Sequence, residues 1–297
     1  MFNTVVIGAT NIDIFGIPFQ DVAMRDSNPG IIIEAYGGVG RNIAENLGRL
    51  NCHPLLIATV GNDKRVEIER HLREAGVSFK AVITPKTSRY LAVMDENSDM
   101  QVSIADMVGL EELTVKDFEP FASDIQHAER LVIDTNFSET LTSEIVKLSR
   151  GKIYTDGIST RKVLKLRNVL HRMHVVKLNL LEARALTNIQ DGPLDEVITQ
   201  LRDLPCERIY LTLGVDGVYE ITKPLIRHRK FTPLKKAYTT GAGDAFLAGV
   251  VHADIHNQDP LLYGQLNARF CLGSLLAVHP DLSIQQLERL RSELHED

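Results

Sequence analysis

The sequence has few of the residues that would mark a disulfide-rich or metal-binding protein. Its three cysteines, Cys52, Cys206 and Cys271, show no spacing typical of a paired metal site. We expect each to be a small buried hydrophobic residue in a protein of a reducing compartment. The ten histidines contain no H-x-x-E-H or H-E-x-x-H pattern, so we assign none of them to a metal or to catalysis.

Long apolar runs and a basic leader are missing too. No apolar run has the length of a membrane helix, and the chain begins on a strand-like segment without a positively charged signal region. A formal net charge of −6 argues against nucleic acid as a partner. We therefore expect a cytoplasmic protein that binds neither nucleic acid nor a membrane.

The chain is long enough to bury one large core. It has 297 residues, of which 44% are hydrophobic, and this length allows one or two domains. Short apolar runs predict buried strands at 4–9, 131–133, 152–154, 175–177 and 208–213, and amphipathic stretches predict helices around 38–50, 63–75, 138–149, 162–172 and 193–203. Such alternation predicts an α/β fold in which a mostly parallel sheet lies between helices, with ligands at the carboxyl ends of its strands.

Two sections interrupt this alternation. Residues 12–36 and 87–105 read as short strands, and those of the second section are joined by a predicted hairpin turn at 95–98.

A glycine-rich turn before an apolar helix is the strongest signal for chemistry. Thr-Thr-Gly-Ala-Gly-Asp at 239–244 leads into the apolar run 245–251. The start of a buried helix offers unpaired N–H groups to an anion, and Gly241 and Gly243 lack the Cβ atoms that would keep a phosphate away. Asp244 would lie beside that anion as a base, which points to phosphoryl transfer. Ordinary helix capping is the alternative for this segment alone.

A second glycine-rich turn lies far upstream. Gly37 and Gly38 follow an apolar run at 31–33 and precede a helix that contains Asn42. A dinucleotide-binding turn would look similar, but the spacing is not G-x-G-x-x-G. The acidic residue expected about 20 residues later is absent as well. The sequence therefore disfavours a dehydrogenase.

Together the two turns resemble the signatures of the ribokinase family, also called the PfkB carbohydrate kinases. The first signature is a Gly-Gly pair with Asn four residues after the second Gly (Gly37, Gly38 and Asn42), and the second is met from Thr239 to Asp244. The resemblance extends along the chain from 11–13 to the C-terminal helices. It implies a ribokinase-like kinase domain over 1–297, with a small β lid formed by about 12–36 and 87–105 over the sugar site.

The resemblance also implies roles for individual residues. Asp244 would be the catalytic base, and the backbone of Gly241, Ala242 and Gly243 would hold the γ-phosphoryl oxygens. Asp13 would accept hydrogen bonds from two ribose hydroxyls, although an Asx turn would also explain it. The other expected sugar contacts are Asn11, Gly37, Gly38, Arg41 and Asn42.

The nucleotide side is expected from two further segments. Asn179 and Glu182 resemble the family's Asn-x-x-Glu motif, in which the Glu acts through water on Mg²⁺, but the same pattern is a capping box. Thr212, Gly214, Gly217 and Thr239 would contact ATP, although a plain β-turn explains the glycines at 214 and 217 equally well. For Lys162 and Lys165 we expect a solvated helix face rather than a phosphate contact.

One position departs from the family pattern. Tyr238 stands where relatives usually have Asp or Asn, in a loop that helps many of them to bind a monovalent cation. Since Tyr supplies no carboxylate, K⁺ could be held here only through backbone carbonyls.

Short segments spread over the chain resemble the pseudouridine kinases within this family. They are found at 26–30, 37–44, 104–107, 134–138 and 280–284, and Arg41 is typical of that branch. The resemblance implies an ATP-dependent kinase that phosphorylates the 5′-hydroxyl of pseudouridine, with Asn28 or Asn136 as candidates to read the base.

Other functions stay open at this point. A kinase for ribose, adenosine or another nucleoside would share the chemistry, and a catalytically silent sugar-binding regulator would share the fold. The strands of the lid could also pair with a second subunit, which would give a homodimer.

Overall fold

A computed structural model describes residues 2–95, 100–110, 112–230, 234 and 237–293 of the chain. The described chain contains a nine-stranded sheet in the order β13-β12-β11-β10-β9-β8-β1-β4-β5. Its strands are β1 (Thr4–Gly8), β4 (Leu55–Gly61), β5 (Ser78–Thr84), β8 (Arg130–Asp134), β9 (Lys152–Asp156), β10 (Met173–Asn179), β11 (Arg208–Thr212), β12 (Val218–Ile221) and β13 (Ile226–Arg229).

This large sheet is mostly parallel, as predicted. All neighbouring pairs from β5 across to β11 are parallel, and only β12 and β13 are added antiparallel at one edge. The strand β1 is buried along its whole length because helices cover both faces of the sheet. The predicted α/β fold is confirmed.

The helices pack on the two faces of the sheet. They are α1 (Val39–Arg49), α2 (Arg65–Glu74), α3 (Ala122–His127), α4 (Glu139–Leu148), α5 (Leu180–Thr187), α6 (Leu194–Asp203), α7 (Ala242–His256), α8 (Pro260–Cys271) and α9 (Ile284–Glu293). The apolar helix α7 is buried from Asp244 to Ala253 between its neighbours, as its sequence predicted. None of the helices in the described ranges is long and apolar enough to cross a bilayer.

A separate small sheet has the order β3-β2-β6-β7. It consists of β2 (Asn11–Pro18), β3 (Gly30–Gly37), β6 (Ser88–Met94) and β7 (Met100–Asp106), and these strands lie in the two sections that interrupt the alternation. The small sheet is therefore confirmed. Of the predicted hairpin turn at 95–98, only Asp95 lies within the described residues.

The helix predicted around 162–172 is wrong. Two short 3₁₀ helices, Val163–Leu166 and Leu170–Arg172, occupy this stretch instead. Val163, Leu166 and Leu170 are buried at a spacing that an α-helix would share, so the apolar pattern could not distinguish an α-helix from two short 3₁₀ helices.

The prediction for the cysteines is confirmed only for Cys271. Cys271 is buried, whereas Cys52 and Cys206 are half-buried. The last two therefore keep part of their surface accessible.

Candidate active site

The start of α7 is fixed by two glycines. Gly241 has a φ of 77°, and a Cβ there would lie 2.0 Å from the carbonyl oxygen of Ala277. A Cβ on Gly243 would lie 2.5 Å from Nζ of Lys177. From the sequence, we explained both glycines by the need to let a phosphate approach the helix. The structure adds that the protein's own backbone and a buried lysine already require them.

Asp244 occupies the first turn of α7 and is only 8% exposed. Its Oδ2 accepts a hydrogen bond of 2.7 Å from Nδ2 of Asn42 on α1. Burial, together with the negative charge of Asp156, raises the pKa of Asp244 to about 7, although the Asn42 hydrogen bond and Lys177 act in the opposite direction. A carboxylate with this pKa is suited to accept a proton near neutral pH.

Arg41 orients the amide of Asn42. The buried guanidinium of Arg41 donates to Oδ1 of Asn42, to the carboxylate of Glu45 and, at 2.6 Å, to the carbonyl oxygen of Tyr36. Because Oδ1 of Asn42 accepts from Arg41, its Nδ2 is the atom that faces Asp244. Arg41 therefore acts on the candidate base through Asn42.

Asp13 lies where the small sheet meets the first glycine-rich turn. Its Oδ1 accepts a hydrogen bond from Nδ2 of Asn11, and a Cβ on Gly37 would lie 2.3 Å from its Oδ2. Burial raises the pKa of Asp13 to about 6, while Arg41 and the Asn11 hydrogen bond lower it. Gly38, with a φ of 101°, precedes α1 and passes close to the carbonyl of Ala9.

Three charged residues of this region were not predicted as site residues. Asp134 is 1% exposed and accepts hydrogen bonds from the backbone N–H groups of Ala9, Gly40 and Asn136, so it joins the ends of β1 and β8 to α1. Nζ of Lys177 on β10 lies 3.0 Å from Oδ2 of Asp156, the last residue of β9. A charged residue at the carboxyl end of an apolar strand was the available signal.

Lys177 remains positively charged despite its burial. Burial would lower the pKa of Lys177, but the carboxylates of Asp156 and Glu182 outweigh it and raise this pKa. The ammonium group thus provides a fixed positive charge directly behind Gly243.

Asn179 and Glu182 form the capping box that was the alternative reading of this motif. Oδ1 of Asn179 accepts from the N–H of Glu182, and Oε2 of Glu182 accepts from the N–H of Asn179, each at 2.9 Å. Burial and the charge of Asp156 raise the pKa of Glu182, whereas Lys177 lowers it. Capping does not exclude a second role, since the carboxylate lies in the same charged cluster as Lys177 and Asp156.

A cavity of about 300 Å³ opens beside the start of α7. Its wall is mainly apolar and includes Val215, Val218, Leu234, Ala268 and Leu272. Four of the six residues expected at the nucleotide also line it, namely Thr212, Gly214, Gly217 and Thr239, whereas Asn179 and Glu182 lie outside its lining. Ala242 and Gly243 contribute to the same wall, so the cavity continues to the helix N-terminus.

The two candidate base-reading amides are already engaged in the protein. Asn28 is exposed, and its amide bonds to the backbone of Ala23 and Asp26 within its own loop. Oδ1 of Asn136 accepts a hydrogen bond of 2.6 Å from Nζ of Lys162. The structure does not bring Asn28 into contact with the residues around Asp244 that are described above.

The expectation of a solvated helix face for Lys162 and Lys165 is wrong. Both side chains are half-buried, and Nζ of Lys165 donates to the carbonyl of Phe137 at 2.6 Å. With the helix replaced by 3₁₀ turns, the two lysines point at the loop that follows β8 and hold it in place.

Comparison with known proteins identifies the family of the chain. A model of the pfkB family carbohydrate kinases matches residues 1–261. The chain is 32% identical over 295 residues to the pseudouridine kinase of Escherichia coli (strain K12), and the match covers 94% of this chain and 93% of that protein.

Solved structures of other kinases share the fold of this chain. A carbohydrate kinase from Agrobacterium tumefaciens superposes with a TM-score of 0.85 at 27% identity and covers 99% of this chain and 98% of its own. A ribokinase from Thermotoga maritima has a TM-score of 0.86 at 17% identity, with 98% of this chain and 100% of that chain covered, and supports the ribokinase-like fold alone. The match over residues 1–261 and the 32% identity show that the chain belongs to the PfkB family of carbohydrate kinases.

Proposed function

We propose that this protein is an ATP-dependent kinase that transfers a phosphoryl group to the 5′-hydroxyl of pseudouridine. The main support for a kinase reaction is the environment of Asp244, a buried carboxylate with a raised pKa at the start of a helix that follows a glycine-rich turn. The similarity to the pseudouridine kinase of Escherichia coli supports the choice of substrate.

The acceptor hydroxyl must lose its proton as the new P–O bond forms. In the proposed mechanism Asp244 takes this proton, and the hydrogen bond from Asn42 holds its carboxylate in one orientation. Asp13 and Asn11 lie at the start of β2, an inner strand of the small sheet. There Asp13 would accept hydrogen bonds from the ribose hydroxyls, and Asn11 would donate hydrogen bonds to them. Arg41 is a positioning residue in this scheme, because its contacts run through Asn42.

The transferred phosphoryl group would sit at the start of α7. The N–H groups of Gly241, Ala242 and Gly243 lie at the positive end of the helix dipole, and Lys177 adds a full positive charge behind Gly243. Lys177 is held in place before the substrate arrives by its ion pair with Asp156. The N–H of Ala242 already donates to the carbonyl oxygen of Thr239 at 3.2 Å, so it would exchange this partner for a phosphoryl oxygen.

The carboxylates of Asp156 and Glu182 suit the donor set of a magnesium ion. Mg²⁺ binds few protein carboxylates together with waters and phosphates, and both residues are buried beside Lys177. When bound, the ion would neutralise charge on the phosphates. Glu182 would act through water, since its two oxygens already accept from Asn179.

The apolar cavity beside α7 is the proposed seat of the adenine ring. It is mainly hydrophobic with a few polar groups, as nucleobase pockets usually are, and it ends at the residues that would hold the phosphates. We infer that ATP enters with its base between β12 and α8 and its γ-phosphate at Gly243.

We propose that Asn136 contacts the pyrimidine base. Asn136 lies at the carboxyl end of β8, next to the residues around Asp134, and is a better candidate than Asn28, whose amide organises its own loop. Replacing Asn136 by Ala should lower the preference for pseudouridine over uridine, and Asn28→Ala serves as its matched control.

The decisive experiment is ADP release from Mg-ATP with pseudouridine, uridine, adenosine and ribose offered separately. We expect turnover on pseudouridine at a far lower concentration than on the others. A preference for ribose or adenosine would keep the kinase and reject the substrate, and no turnover on any of them would favour a silent binding protein. Repeating the assay in Na⁺ and K⁺ salts tests whether the loop at Tyr238 responds to potassium.

We also propose that the small sheet mediates a homodimer. Met100, Val102 and Ile104 alternate along β7 and are 55%, 56% and 61% exposed, and Ile32 on β3 is 76% exposed. Apolar side chains repeated on both outer strands form a surface that a second copy could cover. Light scattering should give twice the chain mass, and Val102→Asp together with Ile104→Asp should return it to the monomer value.

A further inference from the structure

A cysteine and two histidines meet at the far end of α7 from Asp244. His252 and His256 stand four residues apart on this helix, so they share one face. Cys52 reaches them from the connection between α1 and β4. One potential ligand atom of each residue lies within 4.8 Å of those of the other two, the one such group of three found in the described ranges.

The distances suit a tetrahedral metal ion. Sγ of Cys52 lies 3.4 Å from Nδ1 of His252. Bonds of about 2.3 Å to sulfur and about 2.0 Å to nitrogen at a tetrahedral angle would separate these two atoms by about 3.5 Å. The rings of His252 and His256 lie 4.5 Å apart between centroids, and a ligand atom of His256 lies within 4.8 Å of those of the other two residues.

The protonation state of His252 favours metal binding, whereas the raised pKa of Cys52 opposes it. Burial and the neighbouring His256 lower the pKa of His252 to about 4, so its imidazole is neutral and keeps a lone pair at neutral pH. Burial raises the pKa of the Cys52 thiol to about 12, which Arg130 opposes. A bound cation would displace the thiol proton to solvent as the metal–sulfur bond forms.

The burial of the three residues leaves one side open. His252 is 2% exposed and Cys52 is half-buried, whereas His256 is exposed to solvent. Three protein ligands with one accessible side leave a fourth position for water. One thiolate and two imidazoles select zinc over magnesium or calcium, which prefer oxygen ligands.

We propose that Cys52, His252 and His256 form a binding site for one zinc ion. The ion would connect the end of α1 to the end of α7, the two helices that carry Asn42 and Asp244. His252 follows Asp244 by eight residues, or about 12 Å along the helix, so the ion supports the packing of these helices and does not take part in transfer.

Cobalt(II) provides the direct test because its absorption reports its ligands. The full-length protein, freed of metal with a chelator and kept reduced, is titrated with Co²⁺ in the absence of Mg²⁺. We expect saturation at one ion per chain, with a sulfur-to-cobalt charge-transfer band and the visible bands of tetrahedral Co²⁺. Zn²⁺ should displace the cobalt and raise the melting temperature of the wild-type protein.

Variants separate this site from incidental binding. Cys52→Ser should abolish the charge-transfer band, and His256→Ala, an exposed position that should not disturb folding, should weaken Co²⁺ binding at least ~100-fold, beyond the ~10–100-fold typical of an outer-shell change. Cys206→Ser, a half-buried cysteine outside the cluster, should bind as the wild type does. Absence of the band in the wild type, or its persistence in Cys52→Ser, would overturn the proposal.

Discussion

Asp244 and Glu45 are both buried carboxylates on core helices, yet their pKa values are shifted in opposite directions. Burial and the charge of Asp156 raise the pKa of Asp244 to about 7. Burial would also raise the pKa of Glu45, but the hydrogen bond from His71 and the charges of Arg41 and Arg49 outweigh it and hold this pKa at about 2. Charged partners therefore decide which buried carboxylate can exchange a proton and which one remains an anion.

The two environments suit different tasks. Glu45 accepts from Arg41, Arg49 and His71, so its charge is neutralised within the protein and connects α1 to α2. Among the described residues, the direct hydrogen-bond donor to Asp244 is the neutral amide of Asn42. A partner without charge leaves the carboxylate able to bind a proton, as a general base requires.

The largest effect is expected for Asp244→Asn. The amide keeps the size of the side chain but cannot accept the proton, so kcat should fall about 10²–10⁴-fold while nucleoside affinity is retained. ADP release and calorimetric binding measure the two quantities. Asp254→Asn, ten residues later on α7, should keep kcat within a few-fold. Wild-type turnover in Asp244→Asn would remove this residue from the role of base.

Glu45→Gln should affect stability instead. Removal of the charge leaves the buried Arg41 without its main counterion, and breaking such a pair costs roughly 3–5 kcal/mol. Urea denaturation measures this loss in the free energy of unfolding. Glu293→Gln, which breaks an exposed pair with Arg289, should cost less than about 1 kcal/mol. Equal losses in the two variants would contradict the structural role of Glu45.

The pH profile should show the smallest effect. Because the base must be ionised, kcat/KM should fall about tenfold per unit as the pH drops below the Asp244 pKa of about 7. The fall should become steeper below pH 6, where Asp13, with a pKa of about 6, also gains a proton.

The same profile tests the contact from α1. The Asn42 hydrogen bond favours the ionised form of Asp244. In Asn42→Ala, the acidic limb of the profile, where kcat/KM falls, should therefore move to higher pH. Asn168→Ala, at an exposed amide paired with Glu139, should leave the limb where it is. A limb that stays in place in Asn42→Ala would show that this hydrogen bond does not set the pKa of Asp244.

Several residues of the candidate site were predicted from local patterns in the sequence. The glycine-rich turns and Asp244 were readable because each combines a turn with an adjoining apolar segment. The residues Asp134, Asp156 and Lys177 were missed because a single charged residue at the end of a strand gives no spacing to detect. Their importance comes from the parallel neighbours β8, β9 and β10, which end at the same edge of the sheet.

The sequence by itself determined the α/β alternation, the short strands that interrupt it, the apolar helix α7 and the family signatures, since these depend on periodicity and on residues close together in the chain. The tertiary structure decided the contact between Asn42 and Asp244, 202 residues apart, the 3₁₀ turns at 163–172 and the meeting of Cys52 with His252. Such contacts depend on how helices pack on the sheet, which brings distant residues together at distances that no spacing in the sequence encodes.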